Sequence, residues 1–460
     1  MATMSKIVEP GLAAAHLRTV MRGKVVLPGD DAYGAARQIW NGAVDHCPAL
    51  LAICETPEDI AAAVRVARAH RLPLSVRGGG HDWAGRALRH NGLVIDLSAM
   101  RHVTVHAAAR TAVVAGGATA RDVIAAAAPH GLVAVTGNCG AVGMAGLTLG
   151  GGYGPLSSRF GLALDNLLGV EIVLADGRHI TADALEHPDL FWALRGGGGN
   201  FGVVTSMRVR LHPIRELLAG LMLFPWSEAT KVLRRYAETV ASAPDELAVT
   251  AGMLSGPDCS PALFLAPVWS GEPAQGEQIL DGLKRLGTTI AASIGPMSYA
   301  DLLNIFDAEV VNGRHYALQT RWLPELTSDV VASLVAAGSN RTSPFAMIAM
   351  HHFHGAATRI PAMGSAFGVR REHFLVEAIA AWDPEDEKNG AVHRAWARNL
   401  SRVLAPSALP GGYANLLGPD DHDQIALAYG ANIDRLRKVK RRFDPDNVFS
   451  AIPLSVCGRS

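Results

Sequence analysis

Glycine placement constrains this chain more than any other feature. Three clusters stand out among its 48 glycines. The first is Gly78-Gly79-Gly80. The second runs through Gly137, Gly140, Gly143 and Gly146 into Gly150-Gly151-Gly152-Tyr153-Gly154, and the third is Gly196-Gly197-Gly198-Gly199 with Gly202. Glycine loses more conformational freedom on folding than any other residue, so such density weakens a plain apolar core. A ligand lying against bare backbone explains it better, because turns of successive N–H groups form anion-binding concavities. Three clusters point to an extended ligand of the dinucleotide kind. They carry no Gly-X-Y period, which excludes collagen.

The nicotinamide-binding fingerprint does not fit these clusters. It needs G-x-G-x-x-G opening a helix, with an acid about 20 residues further on. Here Gly80 is followed by His81-Asp82-Trp83-Ala84-Gly85, a poor helix start. Two nucleophiles stand there instead: His81 at the end of the first cluster and Cys139 within the second.

At 460 residues, 49% hydrophobic and 18% charged, the chain has material for two or three domains with large cores. Formal net charge is +0, with 42 residues of each sign and no sustained basic run, which argues against nucleic acid as the main partner. Cys47, Cys54, Cys139, Cys259 and Cys457 are scattered without a C-x-x-C pair, so neither a disulfide framework nor a zinc ribbon is indicated. Residues 1–22 mix apolar side chains with Lys6, Glu9, His16 and Arg18. They lack a secretory core, and the part after Pro10 reads as a short amphipathic helix. Glycines interrupt every long apolar stretch, so a cytoplasmic chain with no membrane span is expected.

Strands are expected at Pro48 to Ile53, Leu74 to Arg77, Leu93 to Leu97 and Thr111 to Val114. Thr56-Pro57-Glu58-Asp59 opens a helix that runs to about Arg71, with a capping threonine, proline at the first helical position and acids at the positive end. A helix from Thr119 to His130 should stop at Gly131. Ile172 to Ala175, Asp176-Gly177 and His179 to Thr181 read as a hairpin, and Phe201 to Leu211 as a half-buried strand. Beyond Pro213, strand-like runs at Gly220 to Phe224, Ala248 to Met253, Ala262 to Val268, Tyr316 to Trp322, Ala346 to His354 and Phe374 to Trp382 alternate with helical segments at Glu228 to Ala241 and Gly276 to Leu286. This is an α+β pattern. A basic helix, Arg435 to Arg442, ends at Asp444-Pro445-Asp446-Asn447.

Two groups in the second half have acid–base or ligand chemistry. On the strand Phe374 to Trp382, the face carrying Leu375, Glu377 and Ile379 is otherwise apolar. Glu377 is therefore either salt-bridged or a desolvated base. His351-His352-Phe353-His354 invites a metal reading, but on a strand His352 and His354 share one face and His351 points away. Two ligands without a carboxylate make a poor site, so no metal is expected. His352 and His354 are instead candidates for a substrate pocket, with Tyr316 and Tyr153.

Taken together, the motifs resemble the vanillyl-alcohol oxidase superfamily of flavin-dependent oxidases, in its berberine-bridge-enzyme-like and 6-hydroxy-D-nicotine-oxidase-like branch. They are R-G-G-G-H at Arg77 to His81 and C-x-x-V-G-x-x-G-x-x-x-G-G-G-Y-G at Cys139 to Gly154. They continue with Arg159 to Asn166, Asp189 to Gly198, Asn200 to Thr205, Tyr413-Ala414-Asn415, Tyr429 to Asn432 and Asp444 to Phe449. The resemblance implies a two-subdomain FAD-binding domain of the PCMH type in residues 1–213. It also implies an inserted α+β substrate-binding domain on an antiparallel sheet in 214–410, and a segment returning to the FAD domain in 411–460. In such relatives the histidine at the position of His81 bonds the flavin 8α carbon, and in the doubly linked members the cysteine at the position of Cys139 bonds C6.

The resemblance further implies cofactor contacts from Arg77, Gly78, Gly79, Gly80, Asp82, Gly137, Asn138, Val142, Gly143, Gly146, Leu149, Gly152, Tyr153, Gly154, Asn166, Gly202, Val204, Tyr413 and Asn415. Glu377 or Tyr413 would be the catalytic base. Leu416 stands where many relatives have a second tyrosine, a departure from the sugar-oxidase pattern. The implied activity is removal of hydride from a C–H bearing a hydroxyl or amine in a small molecule, with O2 as acceptor and H2O2 as product. A dehydrogenase of the same fold and a flavin-binding protein without turnover are the alternatives.

Overall fold

The computed structural model describes residues 10–214, 216–256 and 258–454. Cys457 and the first nine residues of the N-terminal reading lie outside the described residues. Three sheets organise the chain. The first has strands Lys24–Val26, Leu50–Ile53, Leu93–Asp96 and Leu74–Arg77 in that order, the last three parallel. Between Leu50–Ile53 and Leu74–Arg77 runs the helix Pro57–Ala69. Its N-terminus is fixed as the residues dictate: Thr56 accepts from the Asp59 N–H, and Asp59 accepts from the Thr56 N–H in a reciprocal cap. Asp59 also takes the N–H groups of Arg22, Gly23 and Glu55, so one buried carboxylate sews three segments together.

The second sheet is antiparallel and is built on Val203–Pro213, which pairs with Thr111–Ala115 on one side and Leu167–Val173 on the other. The expected hairpin is present, Leu167–Val173 pairing with His179–Asp183 across Asp176-Gly177. The helix expected from Thr119 to His130 is α-helical over Ala120–Ala127 only. It then tightens to a 3₁₀ turn that ends at left-handed Gly131. Pro129, which cannot donate to that ladder, sits in the tightened turn.

The third sheet has seven antiparallel strands in the order Ala291–Met297, Leu217–Pro225, Pro261–Trp269, Leu247–Ser255, Met347–Phe353, His373–Trp382, His315–Leu323. Its edge strand Ala291–Met297 was not anticipated: it is mostly exposed and lacks alternation. One face of the sheet is covered by the helices Ala229–Val240, Pro273–Lys284, Ser328–Ser339 and Gly390–Leu404. Phe374, Val376, Ala378, Ala380 and Trp382 point into that core. The alternate residues Leu375, Glu377 and Ile379 face the other way, toward the glycine-rich loops.

The C-terminal helix Ile433–Phe443 packs on the helix Pro188–Gly197 of the first half. It is anchored by a buried ion pair: Lys440 Nζ meets Asp444 Oδ2 at 2.6 Å and donates to the carbonyls of Asn200 and Phe449. Removing one partner of such a pair leaves a buried charge unpaired and costs about 3–5 kcal/mol. Lys440→Met should therefore lower the free energy of unfolding measured in urea by that order, whereas the double variant Lys440→Met/Asp444→Leu should recover much of the loss.

Candidate active site

A cavity of about 410 Å³ lies where the three sheets meet the glycine loops. Its walls come from the loop after Leu74–Arg77, the Gly137–Leu149 segment, Gly198 to Val204, the free face of the seven-stranded sheet, and Tyr413 to Leu416. The first two loops touch backbone to backbone. A Cβ on Gly79 would lie 2.5 Å from the Gly143 nitrogen, so only glycine allows this approach. The contact brings His81 Nε2 within 3.8 Å of Cys139 Sγ.

Both nucleophiles are neutral here. Burial pushes the His81 imidazole down to about 4, and burial also raises the Cys139 thiol above its ordinary value.

Glu377 and Tyr413 occupy the same cavity. Glu377 Oε1 is 3.3 Å from Nε2 of His351. Nδ1 of that histidine lies 3.4 Å from both Asn138 Nδ2 and Thr250 Oγ1. These contacts leave Nε2 to carry the proton toward the carboxylate. The Tyr413 hydroxyl oxygen accepts from the Gly152 N–H at 2.9 Å and from Asn415 Nδ2 at 3.0 Å, and burial pushes its pKa up to about 12. Tyr153 packs edge-on to Tyr413 and donates to His373 Nε2 at 2.9 Å. His373 is held neutral by burial, and its Nδ1 faces the Arg371 carbonyl.

Of the other residues anticipated at the cofactor, Gly78, Gly79, Gly80, Asp82, Gly137, Asn138, Val142, Gly143, Gly146, Leu149, Gly202, Val204 and Asn415 line the cavity, as does Tyr316. Asp82 does so with its carboxylate already engaged by Arg86. Six expectations need correction. Arg77 is absent from the wall because its guanidinium turns back to the Ala36 carbonyl and to Asp96. Asn166 braces its own loop, donating to the carbonyls of Phe160 and Leu162 while its Oδ1 meets His212 Nε2 at 2.7 Å. Gly152 and Gly154 sit behind the wall. A Cβ on the first would meet Ala163, and one on the second would lie 1.7 Å from the Thr136 carbonyl oxygen.

His352 and His354 do share a face, but it is the helix-covered one. His352 stacks on Phe374 and pairs with Glu372, and His354 Nε2 contacts the Leu247 carbonyl. His351 is the cavity histidine. Once Glu377 is placed on the cavity face, the antiparallel register Ala349↔Glu377 and His351↔Leu375 puts His351 beside it. That pairing was the signal the isolated sequence lacked. Trp40 and Glu309, which also line the cavity, carried no motif.

Family models, a curated relative and solved structures are similar to this chain. A family model described as FAD binding domain matches residues 48–183, and one described as berberine and berberine like matches 412–453. The (R)-6-hydroxynicotine oxidase of Paenarthrobacter nicotinovorans is 31% identical over 448 residues, 93% of this chain and 95% of that one. The chain belongs to the berberine-bridge-enzyme-like branch of the vanillyl-alcohol oxidase superfamily. It is an FAD-dependent oxidoreductase. The crystal structure of 6-hydroxy-D-nicotine oxidase from Arthrobacter nicotinovorans superposes with a TM-score of 0.84 at 29% identity, covering 98% of this chain and 99% of that one. Glucooligosaccharide oxidase from Acremonium strictum has the same fold, with a TM-score of 0.85 at 22% identity, covering 96% and 99%.

The cavity suits that cofactor on its own evidence of shape and chemistry. A Cβ on Gly146 would meet no protein atom within 4 Å, so space is left open beside bare backbone. The buried hydroxyl of Ser75, on the same wall, has no partner within the protein. Buried polar groups are normally hydrogen-bonded, and a polar ligand would complete this one. Among the described residues no helix is long and apolar enough to cross a membrane.

The buried histidines set a pH limit on stability. Burial holds His352, His354 and His212 at about 4, against an ordinary value of 6.5. Between those values the unfolded chain binds protons that the folded chain does not. Stability should therefore be full above pH 6.5 and fall as the pH is lowered toward 4. Melting temperatures at constant ionic strength should be level from pH 7 to about 8 and decline below 6.5, with a shallower decline in His352→Phe; a flat profile to pH 5 would contradict this.

Proposed function

We propose that this protein holds FAD by two covalent bonds, through His81 and Cys139, and oxidises a C–H bond at a carbon bearing a hydroxyl or amine. Dioxygen is the acceptor and hydrogen peroxide the product. The observation that carries the reading is the 3.8 Å approach of His81 Nε2 to Cys139 Sγ on the wall of a cavity that also holds Glu377 and Tyr413. Two nucleophiles that close can reach two positions of one ring system. The glucooligosaccharide oxidase of the same fold carries a 6-S-cysteinyl, 8α-N1-histidyl FAD, which supports the assignment.

Bound FAD would supply the redox chemistry, a two-electron oxidation with dioxygen as terminal acceptor. The chain's own groups handle the proton and the orientation. Glu377 is the base: its carboxylate faces the cavity, and the His351 N–H beside it keeps it aimed there. Tyr413 is a poor base at neutral pH. Its oxygen already accepts two hydrogen bonds, so what it has left to offer is its own proton, toward the substrate oxygen or nitrogen. Leu318, Met347, Leu375 and Ile379 give the remaining wall an apolar surface that displaces water around the reacting carbon. Attachment by two bonds also tethers the cofactor, so the site can stay open to bulky substrates.

Acid-precipitated wild-type polypeptide should remain yellow. His81→Ala and Cys139→Ala should each keep one link, and the double variant should lose all colour on precipitation; a colourless wild type refutes the covalent assignment. Peroxide release across a panel of secondary alcohols and amines tests turnover, and slow reoxidation under air would point to a dehydrogenase instead. In Glu377→Gln, kcat should fall by about 10²–10⁴-fold while the flavin stays attached. Wild-type kcat in that variant would exclude Glu377 as the base.

A further inference from the structure

His81 lies in a loop with no helix or strand around it, yet its ring is closely confined. The indole of Trp40 stacks on the imidazole at 4.3 Å, with the planes 10° apart. Tyr316 covers the opposite face of that indole at 4.0 Å and 22°. Three rings thus form a column running from the seven-stranded sheet to the attachment histidine.

The backbone ties the column at both ends. The Trp40 N–H donates to the Gly80 carbonyl, immediately before His81, at 2.9 Å. On the other side Gly313 N–H donates to the Trp40 carbonyl, and Gly42 N–H to that of Arg314. The Asn41 amide donates to the carbonyls of Trp83 and Tyr316, and its oxygen accepts from the Tyr316 N–H. A Cβ on Gly42 would lie 2.0 Å from the Gly313 carbonyl oxygen, so this clip closes only with glycine. The Trp40 Nε1–H is buried without a partner, so the indole acts through its faces and not through a hydrogen bond.

We propose that Trp40 is a positioning residue for covalent attachment at His81, holding the imidazole so that an edge nitrogen meets the cofactor. The proposal rests on the covalent reading above. Attachment replaces a C–H of the 8α methyl and the imidazole N–H by a C–N bond. Two protons and two electrons leave, and dioxygen takes them up as hydrogen peroxide. The nitrogen must approach in the ring plane, and stacking on one face prevents the ring from turning that face toward the cavity. Burial also keeps the imidazole neutral, with a lone pair to donate. A 1 Å misplacement of a reacting group can cost about 10²-fold in rate.

The test follows attachment and not turnover. Wild type, Trp40→Leu, Trp40→Phe and Tyr316→Leu would be produced under riboflavin limitation and then incubated with FAD in air. Flavin on the His81 peptide and on the Cys139 peptide would be measured separately by digestion and mass spectrometry over time. In Trp40→Leu the histidyl link should form at least about tenfold more slowly, while noncovalent FAD binding and the cysteinyl link persist. Trp40→Phe should restore most of the rate, and Tyr316→Leu, which removes the supporting ring, should slow it several-fold. Wild-type histidyl rates in Trp40→Leu overturn the proposal. If Trp40→Leu does not fold, an unchanged rate in Tyr316→Leu overturns it. Equal loss of both links would overturn it too, because a general packing defect would explain that. A wild type that carries no covalent flavin removes the reading beneath it, an outcome distinguishable from all of these.

Discussion

The backbone contact between Gly79 and Gly143 is the constraint on which the site depends. A Cβ on either residue would stand 2.5 Å from the other's nitrogen, closer than side-chain carbons come to other atoms. Two loops from different sheets can therefore meet without side chains between them, and the residues two positions beyond and four before, His81 and Cys139, become neighbours. No hydrogen bond or hydrophobic contact could bring the loops this close if either glycine carried a methyl group. Glycine density looks costly when counted as backbone entropy. Here it is the condition that lets His81 and Cys139 stand side by side.

The seven-stranded sheet supplies the other half of the site through its alternation. Four helices cover one face and bury Phe374, Val376 and Ala378, which leaves Leu375, Glu377 and Ile379 for the cavity. Neighbouring strands inherit the same division through their register, so that Ala349 lies opposite Glu377 and His351 opposite Leu375. A one-residue slip would exchange the faces, putting His352 in the cavity and leaving a carboxylate under the helices. The apolar side fixes the polar side: the helix-facing residues are the larger apolar group, and they decide which residues remain to face the substrate.

Much of this was legible in the sequence because it is written locally. The capped helix after Thr56, the Asp176-Gly177 hairpin and the strand carrying Glu377 each follow from residues within a few positions of one another. What was not legible depends on pairing across the fold. The alternation of His351 to His354 could be read from the chain, but which face meets the cavity depends on a partner strand more than 20 residues away. Arg77 and Asn166 stand within recognisable motifs and yet brace loops, because a motif records which residues occur together and not which way each side chain turns. Trp40 lies outside the motifs altogether. Its place at the cavity comes from contacts with Gly80, His81 and Tyr316, which lie far along the chain from it.

The loop that presents His81 also fixes the segment that presents Tyr413, so the two are mechanically linked. Asp82 pairs with Arg86, whose guanidinium donates to the carbonyls of Ala414 and Asn415. One residue further on, the Trp83 indole donates to the Leu416 carbonyl at 2.9 Å. Asn415, held from below in this way, turns its amide to the Tyr413 oxygen, and the Gly152 N–H from the second glycine cluster meets the same oxygen. The phenol is thus positioned by both cofactor loops at once. A disturbance of the His81 loop would reach Tyr413 through Arg86. The same argument explains why an asparagine follows two residues after the tyrosine: its side chain spans from the phenol to the carbonyls of Gly146 and Leu147, closing the bracket between the C-terminal segment and the short helix Met144–Gly150.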